Sequence, residues 1–279
     1  MQRKKGIIIF TLLTILLTTG LAFLLRWLHM DSLSPFLMFI PFVISVFVQK
    51  LVFKKPIFKQ GEFGFRLGQK RWLLYGPLFS LVFVLLSYTL SYLFNADLFS
   101  LQTTETVMKE NIATYSESYS LFINIVIAAS VQILLAPLIN ILLYIGEEAG
   151  WRAFLYPNLV KVHGKFGLFY GGIIWGIWHA PMIYLYDLNY GKHHHLGLLF
   201  MIVFCVLLGI IMQYIYTKSG SVFSVALAHG MLNVAGGFIH SFVITDEYHY
   251  FLYGATGLIG LSLLLIGAIY CYRRFPNYS

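Results

Sequence analysis

The chain has 279 residues, of which 59% are hydrophobic and 11% are charged. Soluble domains contain about 45–50% apolar and about 25% charged residues, so this composition excludes an ordinary soluble protein. The formal net charge is +8. No nucleic-acid-binding motif accompanies that charge, so we expect no nucleic-acid partner, and the basic residues are better explained by membrane topology.

Apolar runs long enough to cross a bilayer recur along the whole chain. A spanning helix needs about 20 apolar residues. The sixth and seventh runs are separated by residues 217–220 alone, which predicts a tight helical hairpin. The predicted fold class is therefore all-α, a polytopic membrane protein of about eight transmembrane helices in which residues 1–279 form a single transmembrane domain. The runs lie at about residues 7–28, 33–53, 72–94, 120–145, 167–186, 196–217, 220–239 and 250–272.

The basic residues favour one orientation of this bundle. If both termini are cytoplasmic, 16 of the 19 basic residues lie on the cytoplasmic side. Cytoplasmic loops carry an excess of Lys and Arg, so we predict cytoplasmic termini. The cluster from Lys50 to Lys59 is also suited to contact anionic lipid head groups. The cytoplasmic set is Arg3, Lys4, Lys5, Lys50, Lys54, Lys55, Lys59, Arg66, Lys70, Arg71, Arg152, Lys161, Lys165, Lys218, Arg273 and Arg274, and the other three are Arg26, Lys109 and Lys192.

Two adjacent glutamates close the fourth apolar run. An ionisable group at membrane depth costs about 2.5–3.5 kcal/mol on insertion scales, so such groups usually mark function or a buried pair. Glu148 and Arg152 are four residues apart and are expected to pair on one helix face. Glu147 lies about 100° round the helix and is left to face something else. The alternative is that both glutamates form structural ion pairs or mark the cytoplasmic end of the span.

The fifth run carries a histidine at membrane depth. His179 follows Trp175 by four residues, so the two side chains share a face. Gly172 and Gly176 form a small-xxx-small pair that lets another helix approach closely, and Pro181 bends or opens the helix after the histidine. The alternative is a core histidine bonded to a neighbouring carbonyl.

The seventh run repeats this spacing with His229 and Asn233, which place an imidazole and a carboxamide on one face. Such polar groups can also act as helix–helix contacts worth about 0.6 kcal/mol each. Counted from the cytoplasmic helix ends, Glu147 and His229 lie about 14 Å deep and His179 about 18 Å deep. The spacing therefore predicts a helical core that encloses one intramembrane catalytic cavity, in the inner half of the membrane.

These side chains are suited to hydrolysis. A glutamate can act as general base on a water, and His and Asn donors can stabilise an oxyanion. Alternatively, Glu147, His179 and His229 are a possible zinc ligand set, and zinc would lower the pKa of its bound water to about 7. The metal-free version is slightly preferred, because Asn233 is a poor zinc ligand and a good oxyanion donor. Cys205 and Cys271 lie within apolar runs and are interpreted as packing residues.

At these positions the chain resembles the CPBP family (CAAX proteases and bacteriocin-processing enzymes), also called the Abi family of intramembrane endopeptidases. The family pattern is E-E-x-x-x-R, then F-x-x-x-H, then H-x-x-x-N or D. The resemblance implies a catalytic core at about residues 120–240. Trp175 stands where the family more often has Phe. The matching residues are Glu147, Glu148 and Arg152, then Trp175 and His179, then His229 and Asn233.

The resemblance also implies roles for these residues. Glu147 would activate water that His179 holds, His229 and Asn233 would stabilise the oxyanion, and Glu148 with Arg152 would support the site. The expected function is an intramembrane endopeptidase, metalloprotease-like or glutamate-dependent, that cleaves a peptide bond near the cytoplasmic leaflet.

The expected partners are membrane lipids and a peptide or membrane-protein substrate, including lipidated ones, since eukaryotic relatives cleave prenylated CaaX sequences. The short loops and compact size favour a bacterial plasma membrane. Two alternatives stay open: a non-catalytic peptide-binding scaffold or bacteriocin-immunity protein of the same fold, and a transporter whose carboxylates relay ions.

Overall fold

The computed structural model describes residues 2–56, 62–244 and 249–276. Lys59 therefore lies outside the described residues, as do residues 277–279. Every regular element in the described part of the chain is helical. The long helices are α1 (Gln2–Trp27), α2 (Asp31–Val52), α3 (Trp72–Phe94), α4 (Leu101–Asn111), α5 (Leu121–Ile139), α6 (the consecutive segments Ile141–Glu148, Ala149–Leu155 and Tyr156–His163), α7 (Phe166–Tyr186), α8 (His194–Ser219), α9 (Val222–His240), the single turn α10 (His249–Leu252) and α11 (Leu258–Arg274).

Seven of the described helices are long and apolar enough to cross a membrane: α1, α2, α3, α5, α7, α8 and α9. The prediction of an all-α polytopic membrane protein is confirmed. The eighth predicted span, at about 250–272, is present as α11, which has 17 residues, the lower limit for a spanning helix. It begins later than predicted because Gly254, at φ +75°, adopts a left-handed conformation that interrupts the helix.

The fourth predicted span, at about 120–145, is interrupted in the structure. Helix α5 ends at Ile139, and Asn140 has φ −90° and ψ 7°. Pro137 removes a helical N–H donor and clashes with the preceding turn, which accounts for a further irregularity at Leu135. Helix α6 then continues well past the predicted boundary to His163. The predicted site residues Glu147, Glu148 and Arg152 lie on this second helix.

Contacts between helices show the relative directions in which they run. Helices α7 and α8 run antiparallel, since a Cβ on Gly172 would meet Val206 and one on Gly176 would meet Ile202. This confirms the close approach that the small-xxx-small pair predicts. Helices α1 and α7 run in the same direction, because the Trp178 indole bonds to Thr18 and the hydroxyl of Tyr186 bonds to the carbonyl of Ala22.

The turn between α8 and α9 is the tight hairpin predicted at residues 217–220. Gly220 sits at φ +66°, and its carbonyl accepts a hydrogen bond from Arg66 Nε at 2.8 Å. The Gln69 backbone N–H donates to the Ser219 carbonyl at 2.8 Å. These contacts bring two predicted cytoplasmic loops together at one end of the bundle, which we call the basic end. The loop 187–193 lies at the opposite end.

Candidate active site

The two glutamates sit on α6 where another helix approaches very closely. Glu147 and Glu148 are only 2% and 0% exposed. A Cβ on Gly146 would lie 2.6 Å from the Phe39 ring, and one on Gly150 would lie 2.4 Å from the backbone of Pro41. The two glycines therefore let α2 pack directly on the helix that carries the carboxylates.

The carboxylate of Glu148 is held by two cationic or protonatable groups. Arg152 Nε lies 2.8 Å from one oxygen and His229 Nδ1 lies 2.8 Å from the other. The ion pair that the four-residue spacing predicts is therefore present, at 0% exposure of both side chains. The guanidinium also stacks on the rings of Trp175 and Tyr156, at 4.2 and 4.7 Å from their centroids. A buried pair needs such additional partners, since desolvation otherwise outweighs its Coulombic attraction.

Glu147 has different partners. Its Oε1 accepts hydrogen bonds from the indole N–H groups of Trp175 at 2.6 Å and Trp151 at 3.2 Å. Residues Ala149–Leu155 form a π-helical segment directly after the glutamates, and such segments are frequent at functional sites. The pattern of charged residues predicts neither this change in helix geometry nor the two indole donors.

His179 lies at the end of the regular part of α7. Its backbone N–H bonds to the Gly176 carbonyl, so the Trp175 carbonyl is available to the imidazole Nδ1 at 2.9 Å. A carbonyl only accepts hydrogen bonds, so Nδ1 carries the proton in this contact and the neutral ring has its lone pair on Nε2. Cys205 Sγ lies 3.7 Å from the same Nδ1.

A cavity of about 560 Å³ joins the predicted site residues. Glu147, His179, His229 and Asn233 all line it, whereas Glu148 and Arg152 do not. The structure therefore separates the two glutamates: one faces the cavity and the other lies behind it. The other lining side chains are mostly apolar or aromatic and include Leu143, Tyr144, Trp175, Trp178, Met182, Met201, Phe204, Leu208 and Leu232.

Cys205 also lines this cavity and is fully buried. Its interpretation as a packing residue therefore omitted its contact with His179. The small-xxx-small pair on α7 predicts that some helix packs there, but the sequence does not say that α8 is that helix. Cys271 is free and buried on α11, away from the cavity.

The structure brings together a different set of possible metal ligands from the predicted one. Among the described residues, Glu147, Glu148 and His229 form the one group of three whose ligand atoms lie within 4.8 Å of one another. His179 is not part of it. Both oxygens of Glu148 already face Arg152 and His229, at 2.8 Å each. A zinc ion bound by this group would have to displace those contacts of Glu148. Zinc binding by the predicted set Glu147, His179 and His229 stays a prediction.

The histidine tract at 193–195 leads into α8. His194 and His195 form the first turn of α8. His194 Nε2 lies 2.7 Å from Asp187 Oδ1, and the Tyr184 hydroxyl lies 2.7 Å from His195 Nδ1. Hydrogen bonds from Lys192 and His194 lower the pKa of Asp187. These contacts close the loop at the end of the bundle opposite the basic end.

Fold and site together define a polytopic helical membrane protein in which one buried carboxylate, Glu147, lines a cavity with two imidazoles and a carboxamide. Residues 128–235 match the sequence model of the family described as type II CAAX prenyl endopeptidase Rce1-like. This segment contains all three motifs, and the match confirms the resemblance to the CPBP family of CAAX proteases. A search of curated proteins found no match to this chain.

Proposed function

We propose that this protein is an intramembrane endopeptidase of the CAAX type in which Glu147 activates the attacking water. The observation that carries the proposal is that the two adjacent glutamates have different surroundings. Glu147 lines the cavity with His179, His229 and Asn233, while Glu148 is engaged behind it by Arg152. If both carboxylates served only in structural ion pairs, neither would need to face a cavity that also contains two imidazoles and a carboxamide.

The water would lie between Glu147 and His179. Both indole donors reach the same carboxylate oxygen of Glu147, which leaves its other oxygen to accept a proton. His179 Nδ1 is occupied by the Trp175 carbonyl, so Nε2 is the ring atom that can accept a hydrogen bond from the water. Two acceptors fix the orientation of the water, and the glutamate acts as general base.

His229 and Asn233 would stabilise the oxyanion. The His229 Nδ1 proton faces Glu148 Oε1 at 2.8 Å, so the ring donates to an oxyanion from Nε2 only when both nitrogens are protonated. The carboxylate of Glu148 stabilises that imidazolium. Asn233 supplies a second donor from the same helix face. Donors fixed before the reaction are worth about 10²–10³-fold in turnover each.

Glu147 both takes up and returns the proton in this reaction. Water oxygen forms a bond to the peptide carbonyl carbon as Glu147 takes its proton. The carbon–nitrogen bond then breaks, and Glu147 delivers the proton to the departing amine. No cofactor is needed for this sequence, and the apolar cavity walls are suited to a hydrophobic peptide or lipidated segment. We place the protein in a bacterial plasma membrane with both termini cytoplasmic, as the basic residues favour.

A cleavage assay in liposomes tests this proposal. Candidate probes are a farnesylated peptide that ends in a CaaX sequence, its unmodified form, and a pool of apolar peptides. We expect wild-type protein to cleave at least one of them and Glu147→Ala to cleave none. Glu110→Ala changes an exposed glutamate outside the cavity and should keep full activity. Peptides that bind wild type but are never cleaved would favour the scaffold alternative.

A further inference from the structure

Tyr144 lines the cavity, and the mechanism described above gives it no role. It lies three residues before Glu147 on α6, so the two side chains share a face of that helix. The side chain is only 7% exposed, yet its hydroxyl is not fully enclosed by protein. The hydroxyl also interacts electrostatically with the Glu147 carboxylate. It therefore lies close to the group that would activate the water.

The hydroxyl of Tyr144 has no partner among the residues that the structure describes. A buried tyrosine hydroxyl usually finds a hydrogen-bond partner. The hydroxyls of Tyr186 and Tyr190, for example, donate to backbone carbonyls. An accessible hydroxyl without a partner on a cavity wall is suited to donate a hydrogen bond to a bound molecule.

Helix α9 holds the ring of Tyr144 in place. The centroid of this ring lies 5.2 Å from that of the His229 ring, with the two planes tilted by 42°. A Cβ on Gly230 would lie 2.8 Å from the tyrosine ring, so the glycine makes room for it. The helix that positions the Tyr144 ring is therefore the helix that carries His229 and Asn233.

Tyr144 and Asn233 lie at about the same level of the bundle. Helix α6 ends on the side of the basic end and α9 begins there, so the two helices run antiparallel. They meet where Glu148 contacts His229 at 2.8 Å. Tyr144 lies four residues before Glu148, and Asn233 lies four residues after His229. Both are thus displaced from that contact in the same direction, by about 6 Å.

We propose that the Tyr144 hydroxyl donates a third hydrogen bond to the oxyanion, which makes Tyr144 a further catalytic residue of this site. A neutral phenol offers one O–H donor, and tyrosine is among the side chains that form oxyanion holes. His229 can donate only as an imidazolium, whereas Tyr144 donates in its neutral form. The inference rests on the proposed function, since it adds a donor to that reaction.

Tyr144→Phe tests this role, because it removes the oxygen and keeps the ring against His229. The probe is whichever of the three peptides of the cleavage assay wild-type protein cleaves. We expect kcat and kcat/KM to fall by about 10²-fold, as for the loss of one oxyanion donor. KM and the melting temperature should stay the same, because the contact forms only in the transition state. Tyr190→Phe is the matched control, since Tyr190 is buried but does not line the cavity, and it should keep wild-type turnover.

Inhibition by a phosphinate analogue of the cleaved peptide provides a second measurement. The analogue carries a tetrahedral anion where the oxyanion would form, and such analogues report contacts made in the transition state. Its inhibition constant should rise in Tyr144→Phe by the same factor as kcat/KM falls. Tyr144→Leu also lacks the hydroxyl and serves as a second variant. It should lose at least as much activity and also unfold at a lower temperature, because it loses the ring contact with His229.

Three results would overturn the inference and leave the proposed function standing. The first is wild-type kcat and wild-type inhibition in Tyr144→Phe. The second is a rise in KM alone, which would make Tyr144 a residue that only binds substrate. The third is a lower melting temperature with unchanged kcat, which would make its role packing. If wild-type protein cleaves none of the peptides, the proposed function fails and this inference fails with it.

Discussion

The indole N–H of Trp175 donates to Glu147 Oε1 across 2.6 Å, so one motif residue holds another on a separate helix. The backbone carbonyl of Trp175 also fixes the imidazole of His179, at 2.9 Å. A phenylalanine, which is commoner at this position in the CPBP family, could provide the second contact but not the first. The tryptophan therefore positions both the base and the histidine that would hold the water.

Trp175→Phe should lower kcat/KM by about tenfold, because a hydrogen bond to a charged group contributes about 1.5–3 kcal/mol and Trp151 retains a second donor. The ring stays in place to stack on Arg152, so the yield of folded protein should be unchanged. Trp27→Phe is the matched control, since that side chain is 76% exposed. An unchanged kcat/KM in Trp175→Phe would mean that the indole donor has no part in turnover.

Glu147→Gln should abolish activity and leave the protein folded, because the amide cannot accept the proton of the water. General-base catalysis typically contributes about 10²–10⁴-fold. The measurement is peptide cleavage alongside size-exclusion and thermal unfolding in detergent. Normal turnover in Glu147→Gln combined with loss of turnover in Glu148→Gln would reverse the two assigned roles.

Glu148→Gln and Arg152→Ala should instead destabilise the fold. Removing one partner of a buried ion pair costs about 3–5 kcal/mol, because the other charge is left unpaired. The pair of Glu105 with Lys109 is the matched control, since it has the same four-residue spacing but its side chains are 49% and 46% exposed. Lys109→Ala should cost far less, because solvent screens an exposed pair and the remaining charge stays hydrated. Equal thermal shifts for the buried and exposed pairs would contradict this prediction.

The sequence predicts the helical class and the residues of the site better than it predicts their surroundings. Charge spacing on one helix sufficed for Glu148 and Arg152, because both partners lie four residues apart. The contacts of Glu148 with His229 and of His179 with Cys205 join different helices, and no single-helix periodicity encodes which helices meet. Which residues line the cavity depends on how all the helices pack, so spacing along separate helices could not identify Cys205 as one of them.

The two histidines distinguish a metal-free site from a zinc site. Without metal, Asn233→Ala should slow turnover by about 10²–10³-fold and leave peptide binding intact, because only an oxyanion donor is lost. His229→Ala should show at least the same loss, with some destabilisation because Glu148 loses a partner at 2.8 Å.

With zinc, His179→Ala and His229→Ala would each remove bound metal and activity together. We expect elemental analysis of active protein to find no stoichiometric zinc. Zinc that leaves with a chelator and restores activity on return would overturn the metal-free mechanism.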